Sequence, residues 1–296
     1  RVANKGDNKK EILYTSFEDA VKRMPADFGS TKGEYHFTLL TDTKLNANIV
    51  LPTFVQKAVF DTETGGRYNE TLQKWETIDD SRRMKFFDLN GKSITSSAEV
   101  VMDGGVRMTS SGTAGRLVIT CAGESALSVD ESNYNLEDSV DDNGNAISTG
   151  YRAPVFNNML ISAPNGDVHI CDLNRVDNTI EETNYSELNA SFETRGFFVD
   201  GGNWEFGNGK YIKTVDFDIK GTDSIEEDAY LNIDNLMVTT GNLNVDGGIK
   251  AELVTISNTE AKINGYTDVD EFSATNSDIN VIDILDTRTI LLNNSV

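Results

Sequence analysis

The chain has few of the residues on which disulfide frameworks, zinc sites and histidine-dependent catalysis depend. Its 296 residues include 2 cysteines, 2 histidines and 4 prolines. Neither a disulfide scaffold nor a zinc site of Cys and His ligands is easily assembled from so few residues. No run of residues approaches the roughly 18 apolar positions of a transmembrane helix, and no charged-then-apolar signal segment opens the sequence. The sequence therefore predicts no membrane span.

Basic residues are also scarce relative to acidic ones. The 26 Lys and Arg residues face 48 Asp and Glu residues, which gives a formal net charge of −22. Such a surface repels a phosphate backbone, so we expect no nucleic-acid partner. Gly, Asn, Asp, Thr and Ser are abundant instead, and this composition suits many short strands joined by tight turns. It is also common among bacterial secreted and surface proteins, which favours an extracellular or cell-surface location.

The two cysteines leave two alternatives open. Cys121 and Cys171 both lie in alternating apolar segments. Each is a buried free thiol, or the two form a bridge between neighbouring strands.

The C-terminal part of the sequence repeats with an 18-residue period. Apolar residues recur along this period in columns and alternate with polar residues in steps of two. The clearest columns are Leu236, Val254, Phe272 and Ile290; Val238, Ile256, Ala274 and Leu292; Leu243, Ala261 and Ile279; and Val245, Ile263 and Val281. Each unit thus carries three short alternating strands separated by turns too short for a hairpin. This pattern predicts a parallel β-solenoid, with three strands per coil.

The predicted turns repeat in the same register. Asn258, Asn276 and Asn294 are 18 residues apart, and the equivalent segment of the first unit is Thr239–Gly241. Stacked side-chain amides can hydrogen-bond along such a column, and Asn tolerates the left-handed conformation of a sharp corner. We therefore predict an asparagine ladder.

The spacing of the columns favours a right-handed coil. The columns are five, seven and then five or six residues apart, whereas left-handed helices of hexapeptides have a uniform spacing of six. The rungs 236–245, 254–263 and 272–281 resemble the short triangular right-handed coils of bactofilin-type polymers and filamentous bacterial adhesins. The resemblance covers only the C-terminal repeats.

The N-terminal segment has a different pattern. Ser16 reads as the N-cap of a short amphipathic helix that ends near Pro25. Its apolar face comprises Phe17, Ala20, Val21 and Met24. Two apolar strands follow, near residues 35–40 and 49–51. This order resembles the N-terminal cap of pectin-lyase-like right-handed β-helices of secreted bacterial proteins, and the resemblance implies that the helix covers the apolar end of the first coil.

No linker long enough to separate domains is evident, so we predict one elongated β-helix domain over residues 1–296. It comprises an N-terminal cap (1–34), irregular coils with loop insertions (35–228) and regular 18-residue coils (229–296). Polar insertions at 63–80, 130–150 and 176–189 read as loops. The segment 202–211 reads as a hairpin around Asn208–Gly209.

Both ends of the sequence suggest a piece of a larger assembly. The chain begins at Arg1, and its last residues fall in an unfinished coil with no cap. A bare row of strand donors and acceptors either continues in a longer parent chain or stacks on a partner. We expect continuation in a longer chain, with end-to-end self-association as the alternative.

Candidate catalytic residues are few. The resemblance to pectin-lyase-like helices implies glycan cleavage as an activity to consider, because such sites use clustered carboxylates. Asp216 and Asp218 alternate with apolar residues on one strand, with Lys213 and Lys220 close in sequence. The motif strings of pectate lyases and polygalacturonases are absent, and any solvated strand shows the same alternation. These two aspartates are therefore only weak candidates.

Candidate ligand-binding residues are aromatic. Trp75 lies in a polar insertion, and Trp204 and Tyr211 flank the predicted hairpin. Exposed aromatic rings near amides and carboxylates suit carbohydrate binding, and packing against the flank of the solenoid is the alternative. His36 and His169 lie in separate strands and read as strand residues rather than ligands.

A possible metal site follows from the repeat. Asp234, Glu252 and Asp270 form one outward column at 18-residue steps. Stacked coils would place these carboxylates about 4.8 Å apart, where like charges are destabilising unless neutralised. Calcium would relieve the repulsion through hard oxygen ligands, and simple hydration of the charges is the alternative. No cofactor is required by any other feature.

Together these features predict a non-enzymatic extracellular β-helix module. Its roles would be adhesion, binding of a glycan or a surface protein, or structural spacing within a larger bacterial protein. The alternatives are a polysaccharide lyase or glycoside hydrolase of the pectin-lyase-like class and a self-assembling filament subunit.

Overall fold

The computed structural model describes residues 1–4, 11–27, 35–45, 49–51, 66–69, 74–77, 85–103, 106–130, 139–140, 146–147, 155–171, 186–220 and 229–296. Within these residues the chain forms one helix, α1 (Phe17–Asp27), and 27 strands. The strands are β1 (Val2–Asn4), β2 (Glu11–Ile12), β3 (Tyr35–Thr38), β4 (Thr43–Leu45), β5 (Ile49–Leu51), β6 (Gly66–Asn69), β7 (Lys74–Thr77), β8 (Lys85–Asp88), β9 (Ser93–Ser96), β10 (Val100–Asp103), β11 (Val106–Thr109), β12 (Gly115–Ile119), β13 (Gly123–Asp130), β14 (Ser139–Val140), β15 (Ala146–Ile147), β16 (Val155–Cys171), β17 (Ser186–Asp200), β18 (Gly202–Phe206), β19 (Tyr211–Thr214), β20 (Asp216–Lys220), β21 (Ala229–Thr239), β22 (Asn242–Val245), β23 (Gly248–Ser257), β24 (Glu260–Ile263), β25 (Thr267–Thr275), β26 (Asp278–Val281) and β27 (Leu285–Asn293).

The strands stack in parallel over most of the described chain. Twenty-three of them form one hydrogen-bonded sheet. Antiparallel pairs occur near the N-terminus, where β1 pairs with β2 and β3, and in the predicted insertions, where β6 pairs with β7 and β14 with β15. The predicted all-β class is confirmed, and the long parallel stacking is compatible with the predicted β-solenoid.

The parallel pairings fall into three stacks, which we label faces A, B and C. Face A contains β5, β10, β13, the end of β16, the end of β17, β20, β22, β24 and β26. Face B contains β3, β8, β11, the starts of β16 and β17, β18 and the starts of β21, β23, β25 and β27. Face C contains β4, β9, β12, the middles of β16 and β17, β19 and the ends of β21, β23, β25 and β27.

The 18-residue register is confirmed. Leu236 pairs with Val254, Val254 with Phe272, and Phe272 with Ile290. The columns on face A pair in the same way, as in Leu243 with Ala261. The inward residues are almost completely buried until the last coil, so alternation in the sequence corresponds to alternation between core and solvent.

The asparagine column is confirmed, and the predicted amide ladder is present between two of its three members. Asn258, Asn276 and Asn294 all have φ near 50°, in the left-handed region, and the Asn276 side chain donates to Asn258 Oδ1 at 3.4 Å. Thr240 occupies the same corner in the first regular coil, with φ of 64°. A β-branched residue is costly in this conformation, whereas Asn tolerates it.

A second column of hydroxyl groups holds the same corners. Ser277 Oγ accepts from the Thr259 backbone N–H at 3.2 Å, and Ser295 Oγ accepts from the Ser277 N–H at 3.1 Å. Each hydroxyl donates back to a carbonyl two residues earlier in its own coil, as Ser277 does to Thr275. The corners therefore satisfy their backbone groups without charged residues.

The earlier coils fill their core with aromatic rings. The Phe37 and Phe87 rings stack with centroids 4.7 Å apart, and Phe192 lies edge-on to Phe197 at 5.1 Å. Phe197 stacks on Phe217 at 6.2 Å with nearly parallel planes. Aromatic side chains bury large areas, so a few rings fill each coil.

Helix α1 is present where the sequence predicts it. The Ser16 hydroxyl accepts from the Asp19 N–H at 3.0 Å, as expected of an N-cap, and the Phe17 ring lies 5.6 Å from that of Phe87. The expected stop near Pro25 is wrong by two residues, because the helix continues to Asp27. Arg23 forms ion pairs with Asp19 and Asp27, which hold the last turn together around the proline. No helix in the described part of the chain is both long and apolar enough to cross a membrane.

The predicted hairpin around Asn208–Gly209 is wrong. Strand β18 pairs in parallel with β17 and β21 on face B, whereas β19 pairs with the same two strands on face C. The Asn–Gly signal marks a tight turn, and here the turn is a corner because the neighbouring coils occupy both edges of each strand. The predicted loop at 176–189 also ends earlier than expected, since β17 begins at Ser186.

Cys121 is a free, half-buried thiol, so no bridge to Cys171 forms.

In the last coil, seven large apolar side chains are between 40% and 89% exposed: Val281, Ile282, Ile284, Ile290, Leu291, Leu292 and Val296.

Candidate functional site

The outward side of face A carries aromatic and charged side chains in a regular grid. Inward residues such as Val168, Phe197 and Phe217 are fully buried, so their neighbours along each strand point outward. The outward residues of three successive rows are Asp167 and His169 on β16; Gly196, Phe198 and Asp200 on β17; and Asp216, Asp218 and Lys220 on β20. Because parallel strands lie about 4.8 Å apart, neighbouring rows are in side-chain contact.

His169 and Phe198 form a stack on this side. They are paired in register, and their rings lie 4.8 Å apart with planes only 12° from parallel. Both side chains are half-buried. A Cβ atom on Gly196 would lie 2.4 Å from Phe198 Cε2, so the absence of a side chain at Gly196 leaves room for the ring. The stack runs from row to row and turns the edges of its rings toward solvent.

Asp218 pairs in register with Phe198 on the adjacent strand. Its side chain is only 14% exposed, and its Oδ2 forms an ion pair with Lys220 Nζ at 3.2 Å. Asp218 Oδ1 is buried with no hydrogen-bond partner. Burial raises the pKa of the Asp218 carboxyl; Lys220 opposes this shift, and the charges of Asp246 and Asp200 add to it. Asp218 therefore takes up a proton at a higher pH than an ordinary aspartate.

Lys220 is the partner of Asp218 in this ion pair. Its hydrogen bond and charge contact with Asp218 raise the pKa of the Lys220 ammonium. The ammonium thus stays charged at all pH values near neutrality, with about half of the side chain exposed. The pair presents a fixed donor at the surface above a partly desolvated carboxyl.

A partly buried ion pair borders the stack. Arg195 donates to Asp167 through Nε at 2.9 Å and through Nη2, and Asp167 is only 4% exposed. Arg195 keeps 44% of its side chain exposed. A bidentate guanidinium–carboxylate pair has a fixed geometry, so this contact defines one edge of the surface next to His169.

Asp216, the other candidate acid, has a structural role. Its Oδ1 accepts from both the backbone N–H and the side-chain amide of Asn242, at 3.0 Å and 3.1 Å. These bonds connect the corner before β20 to the equivalent corner of the next coil, before β22. Asp218 differs from Asp216 in that one of its carboxylate oxygens, Oδ1, is buried and has no hydrogen-bond partner.

Two of the predicted ligand-binding aromatic residues, Trp204 and Tyr211, lie on different faces. Trp204 is fully buried on face B, with its indole N–H donating to the Gly201 carbonyl at 2.9 Å. Tyr211 is half-buried on face C and donates to Glu193 at 2.9 Å; burial and this bond raise its pKa. Trp75 pairs with Tyr68 across β6 and β7, and its side chain lies outside the described residues. Packing is therefore the role of Trp204, and its ring is not available to a ligand.

The carboxylate column lies at the corner between faces B and C. Asp234 Oδ2 accepts from the Gly209 N–H, and Asp270 pairs with Arg288 at 3.0 Å. Only Glu252 in the column is exposed without a contact of this kind. In the part of the chain that the structure describes, no three His, Cys, Asp or Glu residues could together hold a metal ion. Calcium binding stays a prediction, and the fold itself supplies contacts that reduce the repulsion.

Sequence reasoning missed most of the face A cluster. The alternation of Val168 and Ile170 around His169 shows that His169 points outward, and the same holds for Phe198. Their contact depends on the register between β16 and β17, which are separated by a long insertion. No signal in the sequence gives that register.

No protein family model, curated protein or solved structure matches this chain.

Proposed function

We propose that this chain is a non-enzymatic binding module of a bacterial cell-surface or secreted protein, and that face A holds its ligand. The ligand would be a glycan or a polar segment of a surface protein. The observation that carries the proposal is the His169–Phe198 stack next to the Asp218–Lys220 ion pair.

The chemistry of this surface suits a hydroxyl-rich ligand. Lys220 supplies hydrogen-bond donors, Asp218 and Asp200 supply acceptors, and the ring edges of His169 and Phe198 supply an apolar strip. Binding sites commonly combine apolar contact area with a few placed polar groups. Because these side chains stand on strands in a continuous hydrogen-bonded stack, their geometry is held before a ligand arrives.

We propose a right-handed, pectin-lyase-like β-helix as the scaffold, with α1 as its N-terminal cap. The unequal spacing of the columns supports this hand over a hexapeptide-based left-handed helix. The packing of Phe17 on Phe87 at the first coils supports the capping role. Such a scaffold would present face A along its length as a binding or spacing surface.

Glycan cleavage is the second candidate, and Asp218 favours it. A carboxyl that is desolvated beside an aromatic ring retains its proton at higher pH, as a general acid must. Glycoside hydrolysis requires a second carboxylate, and Asp200 on the adjacent row is the candidate. This alternative predicts reaction products, which the binding function does not.

The test of the binding proposal is a glycan and polysaccharide array with product analysis of the same mixtures. Phe198→Ala and Lys220→Ala should each lose binding about tenfold or more, a loss that corresponds to about 1.4 kcal/mol. Tyr266→Ala, which removes an exposed aromatic ring from a different coil, is the matched control and should bind normally. Reducing-end or unsaturated products that Asp218→Asn abolishes would make the chain an enzyme. Binding unaffected by either face A variant would contradict the site.

A further inference from the structure

The described chain contains four Asn–Gly steps, and they differ sharply in environment. They are Asn90–Gly91, Asn165–Gly166, Asn208–Gly209 and Asn264–Gly265. An Asn followed by Gly can cyclise, because the following backbone nitrogen attacks the side-chain carbonyl and Gly has no Cβ to block the approach. Whether it does depends on how free the side chain and backbone are.

The Asn208 side chain is free, and the turn around Gly209 is open to solvent. Both residues are exposed, and Gly209 has φ of +73° in a turn closed by the Lys210 N–H donating to the Gly207 carbonyl at 3.0 Å. No hydrogen bond from a described residue restrains the Asn208 side chain. A Cβ atom built on Gly209 would meet no atom within 4 Å, so the turn has open space around it.

A carboxylate contacts the nitrogen that would attack. Gly209 N–H donates to Asp234 Oδ2. In the planar cyclic imide, the new N–Cγ bond takes the position of the former N–H bond in the peptide plane. Asp234 therefore accepts the proton first, and this contact must then open before Asn208 Cγ reaches the nitrogen.

The other three steps are restrained. The Asn90 amide donates to the Leu39 carbonyl at 3.2 Å, and the Asn264 amide donates to Asp246 at 2.5 Å. The following glycine N–H groups donate to the Ser110 hydroxyl and the Val245 carbonyl, which unlike a carboxylate do not act as bases. Gly166 is buried, and a Cβ atom added there would lie 2.4 Å from Ala126 Cβ, so the backbone after Asn165 is closely packed.

We propose that Asn208 is a self-modifying site that deamidates through a cyclic imide, with Asp234 as the base. The Gly209 nitrogen forms a bond to Asn208 Cγ, and its proton passes to the Asp234 carboxylate. The Cγ–Nδ2 bond breaks, and the leaving nitrogen takes the proton and departs as ammonia. Water then opens the imide at either carbonyl to give Asp or isoaspartate. The product adds a negative charge beside Asp234. The charge of this corner of the solenoid therefore changes with time.

The test is peptide mapping by mass spectrometry of the intact folded chain after incubation in mildly alkaline buffer. Asn208 should convert roughly tenfold faster than Asn90, Asn165 and Asn264. Asp234→Asn should slow the conversion of Asn208, whereas Asp270→Asn, which removes the carboxylate two coils further on, should not.

Two results would overturn the proposal. One is an Asn208 that stays intact while any of the other three described steps converts. The other is an Asp234→Asn variant that converts as fast as the parent while its circular dichroism spectrum and melting temperature show a native fold. Neither result depends on the ligand of face A, so the binding proposal stands or falls separately.

Discussion

The coils before residue 229 and the coils after it solve the same packing problem in different ways. On face C, one inward column runs from the first region into the second, and its members are Ile94, Leu117, Ile161, Phe192, Ile212, Leu236, Val254, Phe272 and Ile290. Successive members differ by 23, 44, 31, 20 and 24 residues up to Leu236, and by 18 at each step thereafter. The core column is continuous although the chain between its members varies in length.

The corners of the two regions differ as well. The regular coils repeat one neutral corner of Asn and Ser. In the earlier coils, Asp88 accepts hydrogen bonds from the N–H groups of Asn90 and Ser111 and from the Ser111 hydroxyl. The Asn158 amide instead donates to the Ser110 and Gly112 carbonyls. The same set of hydrogen bonds serves every repeated corner, whereas each irregular corner has its own set.

The largest expected effect is on the core of the regular coils. Phe272 is fully buried, so Phe272→Asp places a charge inside the solenoid at a cost of several kcal/mol, roughly 3–5. We expect the C-terminal coils to unfold while the earlier coils persist, seen as partial loss of strand signal by circular dichroism and as protease cleavage after residue 229.

The matched control for this prediction is Glu271→Gln. Glu271 is the neighbouring outward residue, and its substitution should leave the melting temperature unchanged. A Phe272→Asp variant that melts like the parent would show that the 18-residue register is wrong.

A smaller effect is expected at the asparagine ladder. Asn276→Ala removes the amide contact to Asn258 and places a residue with a Cβ but no compensating polar group in the left-handed region. The expected loss is about 1–2 kcal/mol of unfolding free energy, measured by urea denaturation. The same substitution at exposed Asn280, which lies within a strand, should have less effect. Equal effects at both positions would argue against a ladder.

The first regular corner should respond in the opposite direction. Thr240 has φ of 64°, a strained conformation for a β-branched residue. Thr240→Asn relieves this strain and extends the ladder by one coil, so we expect a gain of about 1 kcal/mol. Thermal melting compared with Thr239→Asn, one residue earlier, would isolate the corner effect. A lower melting temperature for Thr240→Asn would contradict it.

The smallest effect is a difference in acid sensitivity. Burial raises the pKa of Asp88, but the hydrogen bonds from Ser111 and Asn90 outweigh burial and hold the pKa below its usual value of 3.8. Because the folded pKa is depressed, Asp88 stabilises the fold above pH 3.8, and this contribution is lost as the pH falls through the folded pKa. The neutral corners at Asn258 and Asn276 carry no such dependence.

Hydrogen exchange at neutral and acidic pH measures this difference. Protection near Asp88 should fall first on acidification, and Asp88→Asn should remove much of the pH dependence of that region. A uniform loss of protection along the solenoid would instead indicate that general charge effects dominate.

The sequence alone predicted more of the regular region than of the irregular one, for a physical reason. When every coil has 18 residues, strand register appears as periodicity, so the columns and the ladder were predicted with their correct partners. Helix α1 was also predicted, since capping and amphipathicity are local. The Asn208–Gly209 hairpin was wrong because a tight-turn signal does not specify which strands lie beside the turn.

The candidate site shows the same division. Asp218 was a weak candidate from alternation alone, while its stack-side neighbours His169 and Phe198 were not connected to it. Trp204 was predicted to contact a ligand because the sequence alone does not reveal its burial. That burial depends on the coils packed around it.

What the sequence by itself determined is the all-β class, the alternation of core and surface along each strand, and the register of the last coils, because these follow from local spacing. Only the tertiary structure decided how the strands separated by long insertions pair, and hence that Asp218, Phe198 and His169 share one surface. Insertions of unequal length erase the period in the sequence but leave the parallel hydrogen bonding between coils unchanged.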